Sequence, residues 1–234
     1  MASAMLIGLI NGVLIAKFKV PSYLVTLATM VIAEGVAQRM INNRSSDSIG
    51  PQAEGFKNLL YYGELFSIGE LTIHIIFVIV IVIFLIFNFI LNYTKTGHDM
   101  YAVGNNIEES KVKGINADST IVKAYLVSSF CAGLVGLIVT ARNDAGILLG
   151  NTGWGIYAVF VAAIGGISVL GGKGRLIGVL VGAFALGLFQ HIASSFNMTR
   201  ALGNTIIGIL LIAFTVYDVY KNTKKSKEES EILV

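Results

Sequence analysis

Long apolar runs separated by short polar stretches dominate this chain. Three windows contain no Lys, Arg, Asp or Glu: residues 71–94, 145–172 and 176–199, which are 24, 28 and 24 residues long. A helix of about 20 predominantly apolar residues is enough to cross the hydrocarbon core of a bilayer. Each window is long enough, so the sequence predicts an all-α polytopic membrane protein.

Seven apolar segments predict about seven transmembrane helices. The first segment is shorter than a full span and the fifth is rich in Gly and Ala, so both are candidates for short or broken helices. Together the segments make one transmembrane domain, residues 1–220, and the charged residues 221–234 after it predict a disordered cytoplasmic tail. The segments cover residues 3–16, 22–41, 73–92, 123–141, 154–170, 175–193 and 204–220.

Composition supports this interpretation, and the charges add an orientation. The chain is 55% hydrophobic and 13% charged, whereas soluble domains carry roughly 25% charged residues. If the loops alternate between two sides, 12 of the 17 basic residues fall on one side and 5 on the other. Basic loops stay cytoplasmic, so loop 93–122 and the C-terminus are predicted to face the cytoplasm. The net charge of +3 thus reflects topology, and the expected surroundings are lipid rather than nucleic acid.

Loop 93–122 is longer than a simple connection needs. Its middle is a helix-forming stretch with acids ahead of bases, bracketed by two glycines, which predicts a docking helix for a soluble partner. The candidate coupling residues are Gly104, Asn105, Asn106, Glu108, Glu109, Lys111, Lys113 and Gly114.

Glycines are the other recurrent feature, and close helix packing or the wall of a solute pathway are the two roles considered for them. Ala4, Gly8 and Gly12 recur every four residues, which puts small side chains on one helix face. The candidates in the second half are Gly165, Gly166, Gly171, Gly172, Gly178, Gly182 and Gly187.

The sequence gives little support for sites that bind metals, nucleotides or coupling ions. The stretch around Gly172 and Lys173 lacks the first glycine and the Ser/Thr of a phosphate loop, so ATP binding is not expected in this chain. The three histidines are too scattered for a metal site, and no catalytic set is predicted. Glu34 and Gln38 share a helix face and form a possible intramembrane polar site. The lack of paired ionisable groups at midspan counts against an ion-coupled secondary carrier, which stays open as an alternative.

Three stretches resemble the permease subunits of bacterial ABC importers for ribose and other monosaccharides. They occur in the same order as in that family, across nearly the whole chain. The stretches are Leu9-Ile10-Asn11-Gly12 with Val20-Pro21; Gly97-His98-Asp99-Met100-Tyr101-Ala102-Val103-Gly104-Asn105-Asn106 with Lys113-Gly114-Ile115-Asn116; and Gly165-Gly166-Ile167-Ser168-Val169-Leu170-Gly171-Gly172-Lys173-Gly174.

The resemblance implies a bacterial inner-membrane permease that is not itself an enzyme, with ATP and magnesium bound by a separate ATPase subunit. Further expected partners are an extracytoplasmic solute-binding protein and a second permease subunit, identical or different. Such permeases have about ten spans, and this chain matches the last seven, so it is expected to be N-terminally incomplete. The acids that the family commonly has near residues 154–163 are absent, so the solute is not carried over. Furanosyl signalling molecules, nucleosides and branched-chain amino acids remain alternatives to a ribose-like sugar.

Overall fold

The predicted membrane segments form helices. The computed structural model describes residues 1–41, 50, 54–58, 63–68, 71–146, 154–168 and 171–232. Within these ranges the helices are α1 Ala2–Phe18, α2 Ser22–Met40, α3 Glu54–Lys57, α4 Ile75–Tyr93, α5 Lys95–Asn105, α6 Ile107–Val112, α7 Ala117–Asn143, α8 Trp154–Ile164, α9 Leu176–Ser195 and α10 Arg200–Ile232.

Each of the seven apolar segments corresponds to one helix, and the prediction of an all-α polytopic membrane protein is confirmed. Among the described residues, four stretches are long and apolar enough to cross a membrane: Ile75–Tyr93, Ala117–Asn143, Leu176–Ser195 and Ala201–Tyr220. The two segments predicted to form short or broken helices do form shorter apolar helices, α1 with 17 residues and α8 with 11.

A small antiparallel hairpin was not predicted. Strand β1, Glu64–Ile68, pairs with β2, Leu71–His74, and the register shifts between Glu64 and Phe66. The sequence prediction started the third span at residue 73, inside β2. The β-branched residues Thr72 and Ile73 suit a strand, and helix α4 begins only at Ile75.

The C-terminal end also differs from its prediction. Helix α10 continues to Ile232, although a disordered tail was predicted from residue 221; residues 233–234 lie outside the described residues. Residues 221–232 contain no Gly or Pro, and Lys and Glu, which are good helix formers, recur there four residues apart. A charged stretch without apolar periodicity can therefore extend a helix that the preceding span has already started.

The chain forms two compact units: Met1–Val103 with Glu108–Asn151, and Gly104–Ile107 with Thr152–Val234. In the first unit, α1 packs against α7. A Cβ atom on Gly12 would lie 3.0 Å from the Cα atom of Val122, and Gly8 faces Ser129. The small residues spaced by four therefore let the two backbones approach closely, as predicted.

In the second unit, α8 packs against α9 and α10. A Cβ atom on Gly165 would lie 2.6 Å from the carbonyl group of Gly178, so these two helices touch through their backbones. The hydroxyl of Tyr157 on α8 donates a 2.5 Å hydrogen bond to Oδ1 of Asn204 on α10. Hydrogen bonds between polar side chains of neighbouring helices stabilise membrane helix bundles.

Candidate functional site

The polar loop after α4 is folded into two short helices, and Thr94 starts the first of them. The Thr94 hydroxyl donates a 2.6 Å hydrogen bond to the Ile90 carbonyl at the end of α4. The same oxygen accepts a 3.3 Å bond from the Gly97 backbone N–H and so caps α5. Helix α5 then ends at Asn105, and α6 begins at Ile107 after the single residue Asn106.

Helix α6 ends in a Schellman motif that depends on Gly114. The Gly114 N–H donates to the Lys111 carbonyl at 2.9 Å, and the Ile115 N–H donates to the Ser110 carbonyl at 3.0 Å. Gly114 has a φ of 78°, in the left-handed region that glycine enters without a steric penalty. We name residues 104–114 the docking segment. Its second glycine therefore fixes the end of the helix.

Gly104 has a different place from the one expected of a turn residue. It lies inside helix α5, and a Cβ atom there would be 3.0 Å from the Gly172 nitrogen. The sequence pattern placed Gly104 at the boundary of the docking helix, as the first of the two glycines that bracket it. In the structure its small size allows a close contact instead.

The two faces of α6 differ strongly. Ser110 is only 2% exposed, whereas Ile107 is 44% and Val112 is 89% exposed. The four charged side chains, Glu108, Glu109, Lys111 and Lys113, are all exposed. Ser110 is therefore held by the protein, and the opposite side of the helix presents the apolar Val112 beside charged side chains.

The charged side chains pair with one another within the segment. Lys111 Nζ lies 2.8 Å from Glu108 Oε1, and Lys113 Nζ lies 2.6 Å from Glu109 Oε1. The hydrogen bond from Lys111 and its positive charge lower the pKa of Glu108, and the same hydrogen bond raises the pKa of Lys111. These pairs are spaced by three and four residues and support the helix, with both signs of charge still facing outwards.

A second structured element is the glycine loop, residues 165–175, of which 169–170 lie outside the described residues. It starts with a Schellman motif in which Gly166, with φ of 79°, ends α8. The Ser168 N–H then donates to the Lys173 carbonyl at 3.0 Å and closes the loop on itself. Gly171 and Gly172 also have positive φ values, 95° and 69°. This backbone path is one that glycine follows most easily.

The structure brings the glycine loop next to the first residues of the docking segment. A Cβ atom on Gly171 would lie 2.6 Å from the Gly104 carbonyl oxygen, and one on Gly172 would lie 2.5 Å from the Asn105 Cα atom. Two of the predicted sets of residues, assigned separately from the sequence, thus meet in one place.

The remaining predicted glycines fall into two groups. Gly165, Gly178 and Gly182 lie in the α8–α9 contact, where added side chains would overlap the backbone of the facing helix. At Gly166 and Gly187, an added Cβ atom would have no atom from another part of the described chain within 4 Å. A role of any of them in the solute pathway stays a prediction.

Glu34 and Gln38 meet each other on α2. Gln38 Nε2 donates a 3.4 Å hydrogen bond to Glu34 Oε1, and both side chains are half-buried. The shared helix face expected from their spacing is present, and their role in transport stays a prediction.

Sequence reasoning missed one polar pair that the structure places at the glycine loop. The Ser168 hydroxyl donates a 2.9 Å hydrogen bond to Asp218 Oδ2 on α10. The signal was available, because Asp218 is an acid within the last apolar segment and such acids are functional candidates by default.

Comparison with known proteins gives one consistent result. Residues 1–215 match the family described as branched-chain amino acid transport system, permease component. The ribose import permease protein RbsC of Haemophilus influenzae is 30% identical over 94% of this chain and 67% of its own length. The L-arabinose transport system permease protein AraH of Escherichia coli is 27% identical, over 92% of this chain and 63% of its own. The fructose import permease protein FruG of Bifidobacterium longum is 27% identical, over 89% of this chain and 62% of its own length.

These relatives are longer than the present chain, which spans about two thirds of their length. No solved structure matches it.

Proposed function

This chain belongs to the family of branched-chain amino acid transport system permease components, and on that premise we propose that it is the permease subunit of an ATP-driven importer. The subunit lies in the bacterial inner membrane and moves a small polar solute inwards. ATP and magnesium bind to a separate ATPase subunit. An extracytoplasmic solute-binding protein delivers the solute, and a second permease subunit completes the pathway.

The solute we propose is a monosaccharide. The relatives named above are permeases for ribose, L-arabinose and fructose, although the family description refers to branched-chain amino acids. A sugar is uncharged, and its recognition needs hydrogen-bonding groups rather than an ionic site. Uptake of labelled ribose, L-arabinose and fructose, compared with leucine, tests this choice directly.

The observation that carries the proposal is the exposed face of α6. Val112 is 89% exposed and stands between charged side chains, on a helix whose other face contains the buried Ser110. Closure of an ATPase dimer is a movement of soluble domains, and a helix seated in a cleft of that dimer moves with it. The docking segment is short, bounded by turns and attached to α7, so it is suited to pass such a movement to the membrane helices.

The docking role predicts that binding depends on the charge pattern rather than on the ion pairs themselves. A fourfold exchange, Glu108→Lys with Lys111→Glu and Glu109→Lys with Lys113→Glu, keeps both pairs within the helix but inverts the charges presented to a partner. Exchanged pairs of this spacing differ by only a few tenths of a kcal/mol, so α6 should persist. We expect normal amounts in the membrane with loss of ATPase co-purification and of ATP-dependent uptake.

The apolar residue of the same surface supplies the control for this experiment. Val112→Glu should also lose the ATPase, whereas Val112→Ala, which stays apolar at the same 89% exposed position, should keep it. An exchanged or Val112→Glu protein that binds and stimulates the ATPase like the unsubstituted chain contradicts the docking role.

We further propose that α6 and the C-terminus face the cytoplasm, on the basis of the 12 to 5 distribution of basic residues. With Cys131 replaced by Ala, Val112→Cys should react with an impermeant thiol reagent in inside-out vesicles without ATPase and stay unreactive in intact cells. Ser110→Cys serves as the control that stays unreactive from both sides, since this position is 2% exposed. Labelling of Val112→Cys in intact cells contradicts the orientation.

A further inference from the structure

The contact between the glycine loop and the docking segment is made of backbone atoms and of the Asn105 Cβ atom, which the backbone fixes in place. Gly171 and Gly172 face Gly104 and Asn105, and no side chain of the described loop residues separates them. All four residues belong to the same compact unit. Flexible side chains absorb small shifts by changing rotamer, but backbone against backbone has no such freedom. A displacement of Gly104 and Asn105 must therefore displace the loop as well.

The loop is in turn tied to α10. Ser168 is 8% exposed, and its hydroxyl donates to the carboxylate of Asp218 at 2.9 Å. The loop also joins α8 and α9 covalently, because α8 ends at Ile164 and α9 starts at Leu176. Three membrane helices thus meet at this loop.

From these contacts we propose that the glycine loop transmits movement of the docking segment to α8, α9 and α10, with Asp218 as the positioning residue that holds the loop through Ser168. The inference rests on the proposed function and adds the route within the second unit. Transmission needs two features: a contact too close for side chains at Gly171 and Gly172, and an anchor at the far side of the loop. Both features are present.

The first test compares two glycines of the same loop. Gly172 and Gly166 have similar φ values, 69° and 79°, so alanine costs a similar backbone strain at either position. Only at Gly172 would the new Cβ atom meet the docking segment, since at Gly166 no atom of the described residues lies within 4 Å. Gly172→Ala therefore disturbs the contact, and Gly166→Ala is its matched control.

The measurement is the number of solute molecules imported per ATP hydrolysed. The full chain is reconstituted in proteoliposomes with its ATPase and solute-binding protein, and with labelled ribose, L-arabinose or fructose. Partial misfolding removes uptake and solute-stimulated hydrolysis together and leaves this ratio unchanged. A failed transmission lowers the ratio while the ATPase stays bound. We expect Gly172→Ala to lower it by about fivefold or more, the lower end of usual coupling between sites, and Gly166→Ala to keep it.

The second test addresses the anchor and does not depend on the folding of a glycine variant. Asp218→Ala removes the acceptor for Ser168, whereas Asp218→Asn keeps a carbonyl oxygen that accepts the same hydrogen bond. The ratio should fall in Asp218→Ala and be largely retained in Asp218→Asn. Equal ratios in these two variants contradict the positioning role of Asp218.

The outcomes separate this inference from the proposed function. Equal ratios for Gly172→Ala and Gly166→Ala, in a preparation where the unsubstituted chain imports sugar, overturn the transmission route and leave the permease function intact. If Gly172→Ala does not reach the membrane, the ratios of the Asp218 variants decide whether the loop transmits movement. An unsubstituted chain that binds its ATPase and imports none of the three sugars overturns the proposed sugar import, and the inference falls with it.

Discussion

Two regions of this molecule use glycine for close backbone contact, and they do so in different ways. In the α1–α7 pair, Gly8 and Gly12 lie in a regular helix and face Ser129 and Val122 of the neighbouring helix. In the glycine loop, Gly171 and Gly172 have positive φ values and face Gly104 and Asn105 at the end of helix α5. The first contact needs only a small side chain. The second needs both a small side chain and a left-handed backbone.

The difference decides what each region does for the protein. Small residues on one face of a helix repeat along its length, so the α1–α7 contact is long and holds two membrane helices together. The loop contact consists of a few residues whose path is set by turns at both ends. A long contact stabilises the structure, whereas a short contact between turns positions one segment against another. The following substitutions test this distinction, in order of expected effect.

Gly12→Leu should destabilise the first unit most. Its side chain would meet the Val122 backbone at 3.0 Å, where no flexible end can move aside. Overpacking of this kind costs about 1–3 kcal/mol, measured as a shift of the unfolding transition in detergent micelles. Gly35→Leu on α2 is the control, because an added Cβ atom there has no atom of the described residues within 4 Å. Equal transitions for the two variants contradict the packing role of Gly12.

Gly114→Ala should have a smaller and local effect. The position has a φ of 78° but open space around its Cβ direction, so only backbone strain is added, about 1–2 kcal/mol. Loss of that much free energy speeds local opening by about five- to thirtyfold, read as hydrogen exchange at the Gly114 and Ile115 amides. The hydrogen-exchange rate in Gly114→Asn should lie between those of the unsubstituted chain and Gly114→Ala, since Asn tolerates this conformation better than Ala. Unchanged exchange in Gly114→Ala contradicts the assigned Schellman motif.

Much of the fold follows from local pattern. Runs without charge located the membrane helices, and the spacing of Gly8 and Gly12 indicated a packed face before any partner was known. The predicted ends of the helices were less accurate. Helix α7 begins at Ala117, six residues before the predicted start of its span, because Asn116 caps it by accepting a 3.0 Å hydrogen bond from the Ser119 N–H. A polar first turn carries no hydropathy signal, although the cap residue itself is visible in the sequence.

The contacts around the docking segment were harder to predict from the sequence. The segment itself was predicted from its charges and glycines, and Gly114 has a clear local reason. The neighbours of Gly171 and Gly172 lie far away along the chain, and periodicity within a segment gives no information on which other segment it meets. Asp218 itself carried a signal, as an acid within an apolar segment, but its pairing with Ser168 on another element could not be read from the sequence.

Because α6 is so short, its exposed surface depends on the rest of the folded protein. Six residues are far fewer than the about 12–15 that an isolated helix needs to be stable in water. The helix is maintained by the Schellman motif at one end and by the burial of Ser110 beneath it. A peptide copied from these residues has neither the buried face nor the fixed ends. The proposed docking surface therefore depends on the folded protein and is not a linear motif that can be transplanted into another protein.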